Sequence, residues 1–261
     1  MTNSRQLGSG EKAAIALCLT GIGGFVDAVG YIALFQIFTA NMSGNSIHVG
    51  MFLGQGNLSG LVRPACAISA FSAGMVLTRI AIEIATRTGI RRIASFTLSA
   101  EAILLLLFAR ATPAMHLGQI VDLNSPLYFA LVAMLAFAMG VQTVTLTHVG
   151  PLTVYTTFVT GTLTKLAESF TEALFWTYDR LRQSKAVLEV ARLAVQQDDV
   201  RHTALLAAAW ICYLVGAALG TLIKYRWELR ALYFPAGVLV LFVLVDQFRP
   251  IAVGEDRHQS T

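Results

Sequence analysis

Charged residues are scarce in this chain of 261 residues, where they make up only 13 % of the sequence. An average soluble domain carries about 25 %. Hydrophobic residues reach 56 %, and the mean hydropathy is +0.65. This composition excludes a disordered chain, and a single soluble core could not hide so much apolar surface. We therefore expect a polytopic membrane protein in a lipid bilayer. The net charge of +4 is then a topology signal and does not indicate nucleic-acid binding.

Cysteine is also rare, and the sequence lacks the common cofactor motifs. Cys18, Cys66 and Cys212 each lie in an apolar stretch, with no CxxC pair and no Cys/His cluster. Neither a disulfide framework nor a metal site is expected. The chain has no HExxH, no Walker A motif and no dinucleotide fingerprint, so no cofactor is expected. We expect a protein that is not an enzyme.

Long apolar runs are abundant. Six are long enough to cross the hydrocarbon layer, which takes about 20 residues. They lie near residues 14–36, 63–84, 93–110, 127–149, 203–223 and 229–248. Two further segments, 37–54 and 152–170, are apolar but rich in Gly, Ser, Thr and Asn. The sequence thus predicts one all-α membrane domain over 1–261, a transmembrane bundle of six spans plus two broken or re-entrant half-helices. A charged amphipathic helix is expected near 171–201.

The chain contains an internal repeat. The motif at 39–45 matches 156–162 at an interval of 117 residues, and Gly24 matches Gly140 at 116. Gly74 matches Gly216 at an interval of 142, because the second half holds the charged insertion. Repeat 1 covers about 14–110 and repeat 2 about 127–248. With three spans each, the halves have opposite orientation, which predicts an inverted 3+3 repeat. For the small residues at 74, 78, 216 and 220, close helix packing is the favoured role.

The distribution of basic residues modestly favours six spans over eight. With both termini inside, six spans place 14 of the 19 Lys and Arg residues inside, whereas eight spans place 12 there. The residues left outside in the six-span arrangement are Arg63, Arg110, Lys224, Arg226 and Arg230. The N- and C-termini are therefore expected to be cytoplasmic.

The two Gly-centred motifs predict a binding site. Broken helices leave backbone groups unpaired at membrane depth, and these survive where protein or a polar cavity satisfies them. We expect a midplane site for a small polar or anionic solute. Its candidate residues are Tyr31, Thr39, Asn41, Ser43, Gly44, Asn45, Gln142, Thr156, Thr160, Gly161 and Thr162. Alternatively, these small and polar residues only allow the helices to pack closely.

Two acidic residues lie inside predicted spans, where ionisable groups are functional candidates. Asp27 is flanked by glycines in the first span, and it could bind a cation, carry a proton or hold the second half in place. Glu101 lies in the third span and could couple transport to a proton or an ion. It could equally be paired with a polar neighbour.

The run GFVDAVGYIALFQIFTANMSGN, followed by GVQT and TTFVTGTLTKLAE, resembles the YoaK-like family of bacterial integral membrane proteins. This family is known as a domain of unknown function. The resemblance covers about residues 14–248 and implies a bacterial inner-membrane protein. Two positions depart from the family pattern: Thr143 stands where members usually have Asn, and Thr78 where they tend to have Gly.

Three functions remain open from the sequence. The leading hypothesis is a small secondary transporter or permease whose halves rock about a midplane site. The alternative is a non-transporting assembly or regulatory protein. The third is an intramembrane hydrolase with Ser43 as nucleophile and His48 or His148 as base, although no G-x-S-x-G surrounds Ser43. The sequence is compatible with a homo-oligomer.

Overall fold

The computed structural model describes residues 8–90, 92–110, 123–145, 159–183, 198–249 and 251. Within these ranges the regular structure is entirely helical, as expected. The helices are α1 (Ser9–Ala33), α2 (Met42–Gly54), α3 (Leu58–Arg87), α4 (Ile93–Arg110), α5 (Pro126–Thr145), α6 (Val159–Gln183), α7 (Asp198–Trp227) and α8 (Tyr233–Phe248). A 3-10 turn, Glu228–Leu232, joins α7 to α8.

Five helical segments are long and apolar enough to cross a membrane. They are Gly10–Ala33, Leu58–Arg87, Ile93–Arg110, Pro126–Thr145 and Val200–Phe248. The last segment contains α7, the 3-10 turn and α8. Large apolar side chains on the outside, such as Phe96 and Leu222, are mostly exposed, which suits contact with lipid. The polytopic membrane class is therefore confirmed, while six spans and the inverted repeat stay predictions.

Helices α1 and α7 pack with their backbones in contact. A Cβ added to Gly216 would lie 2.0 Å from the carbonyl oxygen of Gly21. One added to Gly220 would lie 2.6 Å from the carbonyl oxygen of Phe25. Both helices advance in the same direction through these contacts, so they are parallel. Small residues at these positions are needed because no side chain fits between the two backbones.

Helices α3 and α5 pack in the same way. A Cβ on Gly74 would lie 2.4 Å from the carbonyl oxygen of Phe137. Near the start of both helices, the Cys66 thiol donates to the carbonyl oxygen of Phe129 at 3.8 Å. These two contacts show that α3 and α5 are parallel. The predicted packing role of Gly74 is confirmed.

Two long-range hydrogen bonds fix α5 against α1. The Tyr128 hydroxyl donates to the carbonyl oxygen of Leu34 at 2.8 Å. The Gln142 side-chain amide donates to the carbonyl oxygen of Leu19, also at 2.8 Å. The start of α5 thus lies beside the end of α1, and the two helices are antiparallel.

Helix α8 is antiparallel to α4 and anchored to it by a buried carboxylate. Asp246, near the end of α8, accepts hydrogen bonds from the backbone amide and hydroxyl of Ser95 at the start of α4. Its other oxygen accepts from the amide of Ile251 at 2.7 Å. Arg249 pairs with Glu11 at 3.2 Å, which brings both ends of the chain's helical part to one face of the bundle.

The helix directions follow from these contacts. We call the face where α1 begins and α8 ends the proximal face, and the opposite one the distal face. Helices α1, α4 and α7 run from proximal to distal, whereas α3, α5 and α8 run back. Helix α2 lies between two helix ends at the distal face, the end of α1 and the start of α3.

The α1–α7 contact predicts a sharp difference between two glycine substitutions. Gly216→Ala should destabilise the fold by about 1–3 kcal/mol, because its Cβ would overlap backbone atoms of Gly21. Gly237→Ala in α8 is the control: its Cβ meets nothing within 4 Å, and helix propensity should stabilise it by about 0.5–1 kcal/mol. Thermal unfolding in detergent measures both effects. Equal melting temperatures for the two variants would contradict the packing described.

Candidate functional site

The chain reverses direction immediately after α1 and folds back along it. Phe35 and Gln36 make the reversal with φ angles of 51° and 69°, a left-handed conformation that costs roughly 1 kcal/mol or more per residue. Residues 34–41 then return into the bundle, and Thr39 lies beside Asp27. Asp27 precedes the end of α1 by six residues, which is about 9 Å of helix. Non-helical backbone therefore lies inside the bundle.

Asp27 holds this returning segment in place. One carboxylate oxygen, Oδ1, accepts from the backbone amides of Thr39 and Ala40, both at 2.8 Å, and from the Thr39 hydroxyl at 3.1 Å. The other oxygen, Oδ2, accepts from the Tyr213 hydroxyl of α7 at 2.9 Å. Asp27 is only 3 % exposed. Four donors compensate the burial of its charge, and bonds to a charged acceptor are the strong ones.

A glycine makes the close approach of this segment to α1 possible. A Cβ added to Gly30 would lie 2.6 Å from a methyl carbon of Thr39 and 3.0 Å from a methyl carbon of Leu135. Any side chain at this position would push the returning segment away from α1. The hydrogen bonds between Asp27 and the segment therefore depend on Gly30.

Two asparagines fix the start of α2. The Asn45 side chain is fully buried, and its amide donates to the carbonyl oxygen of Phe38 at 2.8 Å while its oxygen accepts from the Phe38 amide at 3.1 Å. The Asn41 side-chain oxygen caps the helix and accepts from the Gly44 amide and the Ser43 hydroxyl. The polar groups of the first motif thus bond mainly to the motif itself.

The remaining first-motif residues lie around the same point. The rings of Tyr31 and Phe38 have their centroids 4.5 Å apart, and Gly44 leaves room for the Phe38 ring. Ser43 donates to Asn41, whereas the His48 ring is placed against Phe38 with 6.4 Å between centroids. We call the assembled set the Asp27 cluster; it comprises Asp27, Tyr31, Thr39, Asn41, Ser43, Gly44 and Asn45.

The other predicted site residues do not join this cluster. Gln142 bonds to Leu19, which lies eight residues, or about 12 Å of helix, from Asp27 along α1. Glu101 lies in the middle of α4. Thr156 lies outside the described residues. Thr160, Gly161 and Thr162 fall in the first turn of α6.

Tyr213 is a site residue that the sequence reasoning missed. It belongs to the second half of the chain, yet it bonds directly to Asp27 of the first half. A tyrosine in an apolar helix gives no special signal by itself. Its position three residues before Gly216 is the one clue, because that glycine marks the contact with α1.

An apolar groove of about 340 Å³ lies between α1, α7 and α8, separate from the cluster. Its walls include Cys18, Ile22, Val215 and Phe234. None of the predicted site residues lines it. Among the described residues, no three acidic, Cys or His side chains are grouped so as to hold a metal ion.

The buried asparagine generates a stability prediction. Asn45→Ala should lower the free energy of unfolding by about 1–3 kcal/mol, because both the amide and the carbonyl of Phe38 lose a partner. Ser46→Ala, one residue on, removes only an exposed hydroxyl that bonds within α2 and is the matched control. Thermal unfolding in detergent compares the two. An Asn45→Ala protein as stable as Ser46→Ala would contradict the stabilising role of the two bonds between Asn45 and Phe38.

Comparisons with known proteins agree with the membrane architecture. The family described as "Protein of unknown function (DUF1275)" matches residues 15–245. A curated relative, UPF0700 transmembrane protein YoaK of Bacillus subtilis (strain 168), is 30 % identical over 206 residues, which is 77 % of this chain and 78 % of the relative. No solved structure matches. Since the family match spans most of the chain, this membrane protein belongs to the DUF1275 family.

Proposed function

We propose that this protein is a small secondary transporter built from two inverted halves, with α2 and the first part of α6 as re-entrant half-helices. The observation that carries the proposal is a match between the two helix contacts. A Cβ on Gly24 would lie 2.1 Å from the carbonyl oxygen of Tyr213, and one on Gly140 would lie 2.3 Å from that of Phe71. Gly140 follows Gly24 by 116 residues, and Tyr213 follows Phe71 by 142. These are the repeat intervals found in the sequence.

The helix directions support inversion of the halves. In the first half, α1 runs towards the distal face, α3 towards the proximal face and α4 towards the distal face. In the second half, the corresponding helices α5, α7 and α8 each run in the opposite direction. The first span of each half packs on the second span of the other, and the two third spans, α4 and α8, pack on each other. Inverted halves of this kind are typical of secondary transporters, in which they rock about a site near the midplane.

Six crossings fit this arrangement better than five. The segment Val200–Phe248 has 49 residues, more than twice the roughly 20 needed for one crossing. Its first part, α7, runs parallel to α1, whereas α8 returns antiparallel to α4. Two crossings joined by the 3-10 turn account for both contacts.

The basic residues favour a cytoplasmic proximal face in the inner membrane. That face carries Lys12, Arg87 and Arg249 among others. The distal ends of the helices carry the smaller set, Arg63, Arg110, Lys224, Arg226 and Arg230.

Single cysteines in a background without Cys18, Cys66 and Cys212 test this topology. With the N-terminus as reference, a membrane-impermeant maleimide should label Thr88→Cys from the N-terminal side and Gln55→Cys from the opposite side. Both positions are exposed. Eight crossings would reverse the two results, because α2 would then cross the membrane.

The Asp27 cluster favours a neutral polar solute over an anion. The backbone donors of Thr39 and Ala40 are already occupied by the Asp27 carboxylate. An anion approaching them would meet a negative charge. A neutral solute with hydroxyl or amide groups can exchange hydrogen bonds with the cluster without this penalty.

Glu101 is the better candidate for the coupling group. It is fully buried in mid-α4, and neither carboxylate oxygen has a hydrogen-bond partner among the described residues. Several elements packed against α4 carry ionisable groups, and neither oxygen of Glu101 bonds to any of them. These groups are Tyr128 of α5, Glu228 and Arg230 of the 3-10 turn, Tyr233 and Asp246 of α8, and Arg63, Cys66, Arg79, Glu83 and Arg87 of α3. An unpaired carboxylate at this depth is very costly, so we assign Glu101 a proton.

Solute-driven proton movement tests the proposed transport. The full-length protein is placed in liposomes that contain a pH-sensitive dye, and polyols, amides and zwitterionic amino acids are added in separate experiments. At least one of these three classes of solute should cause protons to enter the liposomes. Glu101→Gln should abolish the signal, because the amide carries no exchangeable charge. Glu83→Gln is the control, since this half-buried acid pairs with Arg87 at 2.9 Å.

Two results would contradict the transporter. One is folded wild-type protein that moves protons with none of these solutes; the other is coupled transport that persists in Glu101→Gln. The first would favour the alternative from the sequence, a non-transporting assembly or regulatory protein. The hydrogen bonds that close the Asp27 cluster on itself would then serve stability alone.

A further inference from the structure

We propose that the apolar groove between α1, α7 and α8 binds an acyl chain of an anionic phospholipid, and that Arg226 and Arg230 at the distal face bind the phosphate of this lipid. The inference goes beyond the proposed transport and does not depend on it, because the groove lies on the outer surface of the bundle and the site needs no movement of the halves.

The chemistry of the groove favours hydrocarbon over a polar ligand. Each residue that lines it is apolar, a glycine or a cysteine. Gly21 and Gly216 both belong to the lining, and where they meet no side chain fills the space between α1 and α7. Phe25, Leu219 and Val238 form part of the apolar walls. A polar solute would lose hydrogen bonds to water in this groove, whereas a hydrocarbon chain would not.

One face of α7 connects the groove to the distal end of the helix. Ile211, Val215, Leu219, Leu222 and Arg226 follow one another at intervals of four, four, three and four residues, which keeps them on one face. The first three line the groove, and Leu222 is 64 % exposed. The 15 residues from Ile211 to Arg226 span about 22 Å of helix. One leaflet with its headgroup layer is about 20–22 Å thick, so a lipid bound at Arg226 reaches the far end of the groove.

Two arginines lie at the distal end of this face. Arg226 belongs to the last turn of α7, and Arg230 lies in the 3-10 turn, four residues before Phe234 of the groove. Both arginines are exposed. A guanidinium group can donate two parallel hydrogen bonds to a phosphate. Glu228 of the same turn offsets one positive charge, so the three residues keep a net charge of +1, which suits a singly charged phosphate group.

Aromatic side chains place these arginines at the level of the lipid headgroups. The rings of Trp227 and Phe234 have their centroids 5.2 Å apart, and Tyr225 is 73 % exposed. Tryptophan and tyrosine are enriched where the membrane meets water. The same rule disfavours Arg226 and Arg230 on the distal side, and binding of a lipid phosphate would give both positions a role.

Native mass spectrometry of the full-length protein in detergent tests the phosphate contact. The added lipid is phosphatidylglycerol or phosphatidylcholine with the same acyl chains, and we expect the anionic phosphatidylglycerol to bind more tightly. The double variant Arg226→Gln/Arg230→Gln should weaken phosphatidylglycerol binding about tenfold or more and phosphatidylcholine binding less. Lys224→Gln is the control, because Lys224 lies on the opposite face of α7, 5.6 Å from the centroid of the Tyr225 ring. It should leave both affinities nearly unchanged.

A second pair of variants tests the groove separately from the charges. Val215→Phe adds a ring at a half-exposed position that lines the groove. It should weaken the binding of both lipids, because the ring occupies the space of the acyl chain. Leu214→Phe is the control, since Leu214 is also exposed but does not line the groove. Circular dichroism melting curves check that each variant is folded.

Three results would overturn the proposal. The first is equal affinity of the unmodified protein for the two lipids, or an equal loss in Lys224→Gln and the double variant. The second is unchanged lipid binding in folded Val215→Phe. The third is displacement of phosphatidylglycerol by an equal concentration of glycerol 3-phosphate, which would show a phosphate site without an acyl chain. Since none of these measurements involves solute-driven proton movement, they leave the transport proposal to its own test.

Discussion

The carboxylate of Asp27 is the constraint on which the distal part of this structure depends. It accepts bonds from backbone amides, a hydroxyl and a phenol, and these donors come from the returning segment and from α7. An ionised group inside an apolar bundle is costly unless its acceptors are filled. The carboxylate therefore forces non-helical backbone to remain inside the bundle, where it would otherwise be unstable.

Backbone contact between helices provides the second constraint. Where Gly216 meets Gly21 and Gly74 meets Phe137, the helices approach so closely that no side chain separates them. Such contacts fix the relative height of the two helices, because a shift along the axis would bring larger residues together. They hold α1 to α7 and α3 to α5.

The structure brings the residues of the Asp27 cluster together because its members are close along the chain. Residues 27–45 form one helix end, one turn and one helix start, so local geometry brings them together. Gln142 and Glu101 could not be placed in this way, since their surroundings come from distant helices. Tyr213 was missed for the same reason: its partner lies 186 residues away, and nothing in its own neighbourhood indicates a carboxylate.

Composition and apolar runs by themselves determined the membrane class, the all-helical fold and the positions of most helices, because lipid requires long apolar helices. The small residues at 74, 78, 216 and 220 also indicated positions where helices pack closely. Only the tertiary structure decided what the polar groups do. It satisfied Asp27 with four donors and gave Glu101 none among the described residues, because hydrogen bonds between segments depend on how helices far apart in sequence are brought together in space.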